Sequence, residues 1–138
     1  GKLPEAGLPA PKYQGWPNPP MVEREATHRI IALAEFVDQP IQVFHVTCQE
    51  AAEEIHRAQQ RGLKVWGETC SQYLVLTEDD LDRPGFEGAK YICSPAPRTK
   101  ADQEALWGYI RTGVIDVVSS DHAPYRFEGP TGKSIATR

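Results

Sequence analysis

The chain has 138 residues, of which 25% are charged and 40% hydrophobic, so it is long enough for one core and too apolar to be disordered. A net charge of -4 argues against a nucleic-acid binder, which would carry a basic face. No apolar run approaches the ~18 residues of a membrane span, and the N-terminus lacks the apolar stretch of a secretory signal. Cys48, Cys70 and Cys93 are widely spaced with no Cys-x-x-Cys pair. They read as reduced thiols of a cytoplasmic protein rather than a disulfide framework or a zinc knot.

Residues 1–20 are rich in proline and glycine and predict an extended loop or arm, which Tyr13 and Trp16 would pin to a surface. A leading loop of this length is unusual in a compact domain and suggests that the chain starts partway through a larger protein. The folded unit is expected over residues 21–126. Met21–Phe36 predicts a helix, with Glu23 and Glu25 in its first turns and Ala26, Ile30, Leu33, Ala34 and Val37 as its buried face. His28 lies off that face and is expected at the surface. Ile41–Val46 is a short apolar strand that carries His45 at its end. Gln49–Gln60 predicts a second helix, capped by Thr47, burying Ala51, Ala52, Ile55 and Ala58, and stopped at Gly62. His56 on this helix is expected in solvent.

Leu63–Thr69 is the next strand, so residues 41–69 make a strand–helix–strand unit suited to a right-handed parallel crossover. Tyr73–Leu76 predicts a helical turn or an extended piece. Thr77–Asp80 carries a helix-start signal, and Leu81–Gly88 reads as loop. Lys90–Ser94 is a strand candidate stopped by Pro95 and Pro97. Thr99–Thr112 predicts a helix capped by Thr99, with Ala105, Leu106, Tyr109 and Ile110 on its apolar face and Gly113 as its stop. Val114–Ser119 is an apolar β-branched strand, and Pro124 closes the segment after it. Residues 127–138 look like a truncated active-site loop. This alternation is that of an α/β protein with parallel strands covered on both faces. Three or four such units fall short of a closed eight-stranded barrel.

In such a sheet all strand C-terminal ends lie on one face, which is where α/β enzymes hold their reactive groups. His45 and Asp121 would share that rim, and an imidazole with a carboxylate is an ordinary donor set for zinc and similar ions. Two ligands do not complete a catalytic zinc site, which usually has three from the protein. The plainer reading of the same residues is that Asp121 caps a turn and His122 decorates a loop. Ser94 ends its own segment on this rim, and its backbone groups, freed by Pro95, could hold a planar amide. Cys70 has no adjacent base and reads poorly as a nucleophile.

Five stretches occur together and in order: Val22–His28 (Val-Glu-Arg-Glu-Ala-Thr-His), Phe44–Val46 (Phe-His-Val), Gly67–Leu74 (Gly-Glu-Thr-Cys-Ser-Gln-Tyr-Leu), Cys93–Arg98 (Cys-Ser-Pro-Ala-Pro-Arg) and Ser119–Tyr125 (Ser-Ser-Asp-His-Ala-Pro-Tyr). With these the chain resembles the dihydropyrimidinase/D-hydantoinase family of cyclic amidohydrolases, from about Pro11 to Lys133. The resemblance implies the C-terminal strand/helix units of a partial TIM (β/α)8 barrel and a hydrolase acting on C–N bonds of dihydropyrimidines or hydantoins. It also implies a zinc centre of two ions in the full-length parent. His45 would be the last of the family's ligand histidines. Asp121 would be both a metal ligand and the acid–base group, taking a proton from the metal-bridging hydroxide and passing it to the leaving nitrogen. Ser94 would bind the cyclic amide through its main chain, and His122 would support the site from beside it.

The same resemblance implies a small-molecule cyclic amide substrate, no nucleic-acid or membrane partner, and a homo-oligomeric parent, a tetramer. The family's His-x-His, its carboxylated lysine and its other ligand histidine have no counterparts here, so the chain alone is expected to be inactive and to aggregate through exposed strand edges. Ser71 and Ala96 stand where the family has prolines, which would loosen two rim loops. Tyr125 replaces the histidine expected of dihydroorotases. An allantoinase, or a non-catalytic barrel scaffold of the same family, is the alternative reading.

Overall fold

The structure is a computed structural model that describes residues 18–124, with Pro11 and residues 126–128 besides. Most of the predicted arm 1–20, including Tyr13 and Trp16, and all but the first two residues of the predicted loop 127–138 lie outside the described residues. The elements run α1 (Pro20–Phe36), β1 (Ile41–Val43), α2 (Gln49–Gln60), β2 (Val65–Cys70), α3 (Ser71–Val75), two 3-10 turns (Glu78–Asp82 and Pro84–Tyr91), α4 (Lys100–Arg111) and β3 (Ile115–Ser119). The three strands form one parallel sheet in the order β1-β2-β3. Ile41 pairs with Val65 at one end and Cys70 with Ser119 at the other, so β2 lies between the two neighbours with its C-terminal end level with that of β3.

Helix α2 is the element whose burial matches its sequence pattern position by position. Ala51, Ala52, Ile55 and Ala58 are all fully buried or nearly so. Three alanines on one face let the helix backbone approach the sheet, and Ile55 fills the remaining space beside Val65 and Ile115. Burying a side chain of that size contributes about 1.5–3 kcal/mol. Gln59 then donates from Nε2 to the carbonyls of Val65 and Val114, both at 3.0 Å, and so ties the starts of β2 and β3 to the end of α2. Leu106 of α4 completes this core at zero exposure. Thr99 caps α4 by accepting from the Asp102 amide at 3.2 Å, as its position predicts.

Five expectations need correction. Helix α1 buries Thr27, Ile31 and Ala34, whereas Ile30, Leu33 and Val37 are exposed. The helix carries two apolar stripes at helical spacing, about a third of a turn apart, and it is the Thr27 stripe that packs on α2. Thr47 does not cap α2. Cys48 holds the cap position, and the Thr47 hydroxyl donates to Glu23 instead. Lys90–Ser94 is not a strand: a 3-10 turn runs through Tyr91, and Ile92 to Ser94 join no ladder. Gly88 lies against the preceding turn so closely that a Cβ there would fall 2.0 Å from the Leu81 carbonyl oxygen, which folds the segment back rather than out toward the sheet. His56, expected in solvent, is half-buried with its ring edge-on to Tyr109, centroids 6.3 Å apart.

β1 is also shorter than its apolar run. The chain leaves the ladder after Val43, bulges at Phe44 and His45, and returns when the Val46 amide donates to the Glu68 carbonyl at 2.9 Å. The amide of His45 is taken instead by the Glu68 side chain at 2.5 Å. That exchange of a ladder carbonyl for a carboxylate is what turns His45 out of the strand.

Candidate metal centre

His45 stands two residues past β1 and Asp121 two residues past β3, on the C-terminal rim of the sheet. Both have left-handed backbones, with φ of 56° and 46°. Asp38, at φ 52°, is the other non-glycine residue of this kind among the described residues, and it follows the Val37 cap of α1, where a left-handed residue commonly ends a helix. His45 and Asp121 end no helix. Each costs on the order of 1–3 kcal/mol, and such strain persists where surrounding contacts enforce it, often at functional sites.

The strain brings the two side chains together. His45 Nε2 lies 3.8 Å from the Asp121 carboxylate. That is beyond hydrogen-bonding range, yet two metal–ligand bonds of about 2.0–2.2 Å span it. The imidazole is partly exposed and the carboxylate about half exposed, so both reach the open rim. The donor set, one nitrogen and one carboxylate oxygen, suits zinc or a similar ion.

Glu68, in the middle strand, was not among the sequence candidates. Its side chain is almost wholly buried. Oε2 accepts from the His45 amide and lies 3.4 Å from His45 Nδ1, while Oε1 accepts from the Ser119 hydroxyl and, at 3.5 Å, from the Cys70 thiol. Nδ1 lies 3.1 Å from the Cys70 sulfur and 3.4 Å from Glu68 Oε2, and a ring proton on Nδ1 would leave the Nε2 lone pair facing the rim. The signal available in the sequence was a lone acid inside an otherwise apolar strand, with no solvent face to occupy.

Cys70 lies 3.1 Å from His45 Nδ1, and with His45 and Glu68 it forms a second grouping of possible ligands within 4.8 Å. Burial pushes its thiol up to about 11, with the Glu68 charge adding to the effect, so it stays a hydrogen-bond donor near neutral pH. Those three groups contact one another, whereas His45 Nε2 faces Asp121 on the open rim. Burial likewise raises Cys93, and the Asp121 charge adds to that rise. Ser94 is exposed at the start of a loop held by Tyr73, whose hydroxyl donates to the Pro95 carbonyl at 2.9 Å, and by the buried Arg98. His122 is exposed. A separate cleft lined by Ile31, Ala34, Pro40 and Lys64 lies at the opposite end of the strands and contains none of these residues. The three cysteines are free, and no helix among the described residues is long and apolar enough to cross a membrane.

No family model matches the chain. Curated relatives do. The chain is 55% identical to a D-hydantoinase of Rhizobium radiobacter over 123 residues, which is 89% of this chain and 27% of the relative. It is 51% identical to a D-hydantoinase of Ralstonia pickettii, again over 89% of this chain and 27% of the relative. Among solved structures, the dihydropyrimidinase of Brevibacillus agri superposes with a TM-score of 0.90 at 43% identity, over 93% of this chain and 28% of that one. The chain thus spans about a quarter of the length of the relatives it matches. Its parallel strands and covering helices are part of a TIM barrel. Sequence and fold agree that the chain belongs to the dihydropyrimidinase/D-hydantoinase family of cyclic amidohydrolases.

Proposed function

We propose that this chain forms one side of the active site of a metal-dependent hydrolase that opens the cyclic amide of dihydropyrimidines or hydantoins. The observation that carries the reading is the His45–Asp121 pair, two strained residues from different strands facing each other across 3.8 Å at the strand ends. His45 would hold zinc through Nε2 and Asp121 through its carboxylate, as part of a two-ion centre completed by residues the chain does not supply. Bound zinc would supply a nucleophile near neutral pH and polarise the ring carbonyl.

The remaining work falls to the chain's own groups. Asp121 takes the proton of the attacking water on a carboxylate oxygen and delivers it to the ring nitrogen as the C–N bond breaks. The water oxygen ends in the new carboxylate, and the nitrogen, still bonded to the second ring carbonyl, leaves as the NH2 of a ureido group. The main chain of Ser94 binds the planar amide of the substrate. The names of the relatives, D-hydantoinase and dihydropyrimidinase, support this ring class. We extend the reading to a cytoplasmic homotetramer, a compartment that suits three unpaired thiols.

The test is turnover of dihydrouracil and of a 5-substituted hydantoin by the zinc-loaded full-length enzyme. Replacing Asp121 by Asn should lower kcat by about 10²–10⁴-fold, the usual worth of a positioned acid–base group. Wild-type turnover in Asp121→Asn, or a folded, zinc-loaded wild type that opens neither ring, would overturn the reading.

A further inference from the structure

We infer that Glu68 is a positioning residue: it selects which nitrogen of His45 faces the rim and locks the ends of β1 and β3 at the spacing that sets His45 against Asp121. The inference rests on the reading of His45 and Asp121 as metal ligands and adds the group that makes them one site.

Three observations carry it. Glu68 is bonded to both flanking segments: the backbone of His45 on one side and the hydroxyl of Ser119, two residues before Asp121, on the other; the Cys70 thiol also touches both, through the His45 ring and the Ser119 hydroxyl, but Glu68 alone of the two holds the His45 backbone. No ladder bond could do this, because β1 and β3 are not neighbours in the sheet. Next, the carboxylate enforces the left-handed turn at His45. Its Oε2 occupies the His45 amide at 2.5 Å, in place of a strand carbonyl, while the next amide, Val46, returns to the Glu68 backbone carbonyl at 2.9 Å. One residue thus takes two successive amides, one with its side chain and one with its main chain, and fixes the bulge that presents the imidazole.

The lack of a cationic side chain beside Glu68 is the third observation. Among the described residues no lysine or arginine pairs with it; its hydrogen-bond donors are the His45 amide, the Ser119 hydroxyl and the Cys70 thiol, and His45 Nδ1 lies 3.4 Å away. A buried carboxylate without a cation is costly. A cation on the far nitrogen of the imidazole would offset that charge through the ring, and a carboxylate behind a ligand histidine raises the histidine's basicity toward a metal. Glu68 therefore favours a metal at His45 Nε2 without touching it or the substrate.

The experiment uses the full-length enzyme as wild type, Glu68→Gln and Glu68→Ala. In the metal-free protein at mildly alkaline pH, ¹⁵N NMR of the His45 ring should report the Nδ1–H tautomer for wild type and a shift to Nε2–H in Glu68→Ala. After zinc loading, Glu68→Ala should bind zinc about 10–100-fold more weakly and lose kcat by a similar factor with KM unchanged, and the near-isosteric Glu68→Gln should fall between. Should Glu68→Ala fail to fold, Glu68→Gln decides alone: zinc affinity equal to wild type overturns the inference. So does an Nε2–H tautomer in the wild type. A wild type that shows the Nδ1–H tautomer but holds no zinc would instead overturn the proposed function and leave the positioning by Glu68 standing.

Discussion

Two carboxylates of this molecule are held away from water, and their surroundings differ in kind. Glu23, in the first turn of α1, meets a guanidinium: Arg98 Nη2 lies 3.1 Å away, with both side chains largely buried. The rest of that cluster is closed. Arg98 Nη1 donates to the Asn18 carbonyl at 2.7 Å and Nε to the Thr47 hydroxyl at 3.0 Å, while the Thr47 amide donates to Glu23 at 2.8 Å. Charge is matched and each of the three guanidinium nitrogens has an acceptor, so the cluster is a latch joining the start of α1, the segment after β1 and the loop that begins at Ser94. Glu68 has as many donors and no cation among the described residues. The comparison teaches that a satisfied hydrogen-bond inventory is compatible with two different roles. Where the charge is also neutralised the group holds the fold together, and where no cation stands beside it the proposed role is to favour a cation on the far side of the imidazole.

The sharpest way to break the comparison is to make the latch resemble the site. Arg98→Met removes the cation and leaves Glu23 buried without one, which should cost about 3–5 kcal/mol of unfolding free energy by denaturant titration. Adding Glu23→Gln should recover a large part of that loss, because the uncompensated charge goes with it. A single Arg98→Met within experimental error of wild type would show that the latch does not hold the fold. A smaller effect is expected next door. Thr99 follows Arg98 and caps α4 through the Asp102 amide, so Thr99→Ala should cost about 1 kcal/mol. Because Arg98 is anchored independently, turnover should be unaffected; a loss of activity with unchanged stability would mean that the cap, and not the latch, holds the Ser94 loop.

The smallest effect belongs to a partly buried acid whose partner is exposed. Asp80 is held below the usual carboxylate range by its hydrogen bond from Arg83, with the Thr77 amide adding to it. A group whose pKa is lowered on folding adds stability above its unfolded value, about 3.9 for Asp, and that stability disappears as pH falls through the lowered folded value. Asp80→Asn should therefore lower the melting temperature slightly at pH 7 and leave it unchanged at strongly acid pH. The salt-screened, exposed partner Arg83 keeps the effect small. A difference that persists undiminished at strongly acid pH would contradict this assignment.

The α/β frame was legible because its signals are local. The alanine face of α2, the Thr99 cap and the β-branched run before Asp121 each lie within a dozen residues, and each appears in the fold. His45 and Asp121 could be placed on one rim because parallel strands share a direction. What could not be read depends on partners far along the chain. Helix α1 offers two apolar stripes, and only the position of α2 selects between them. The Thr47 hydroxyl reads as a cap until Glu23, distant in sequence, claims it. Glu68 reads as an interruption in a strand, since the residues that explain it, His45 and Ser119, come from the two flanking segments. The positive φ of His45 and Asp121 has no sequence signature at all, because neither residue type demands it.

The central claim is that His45 Nε2 and the Asp121 carboxylate hold one metal ion between them, with Glu68 behind the imidazole. Anomalous scattering at the zinc edge from crystals of the zinc-loaded full-length enzyme tests it most directly. The account predicts a zinc peak in the rim, with His45 Nε2 and an Asp121 oxygen each about 2.0–2.2 Å away and Nδ1 still turned to Glu68. A peak on the other side of the ring, bonded to Nδ1 and to Cys70 sulfur at about 2.3 Å, would contradict it, and so would a fully loaded enzyme with no zinc within reach of either residue.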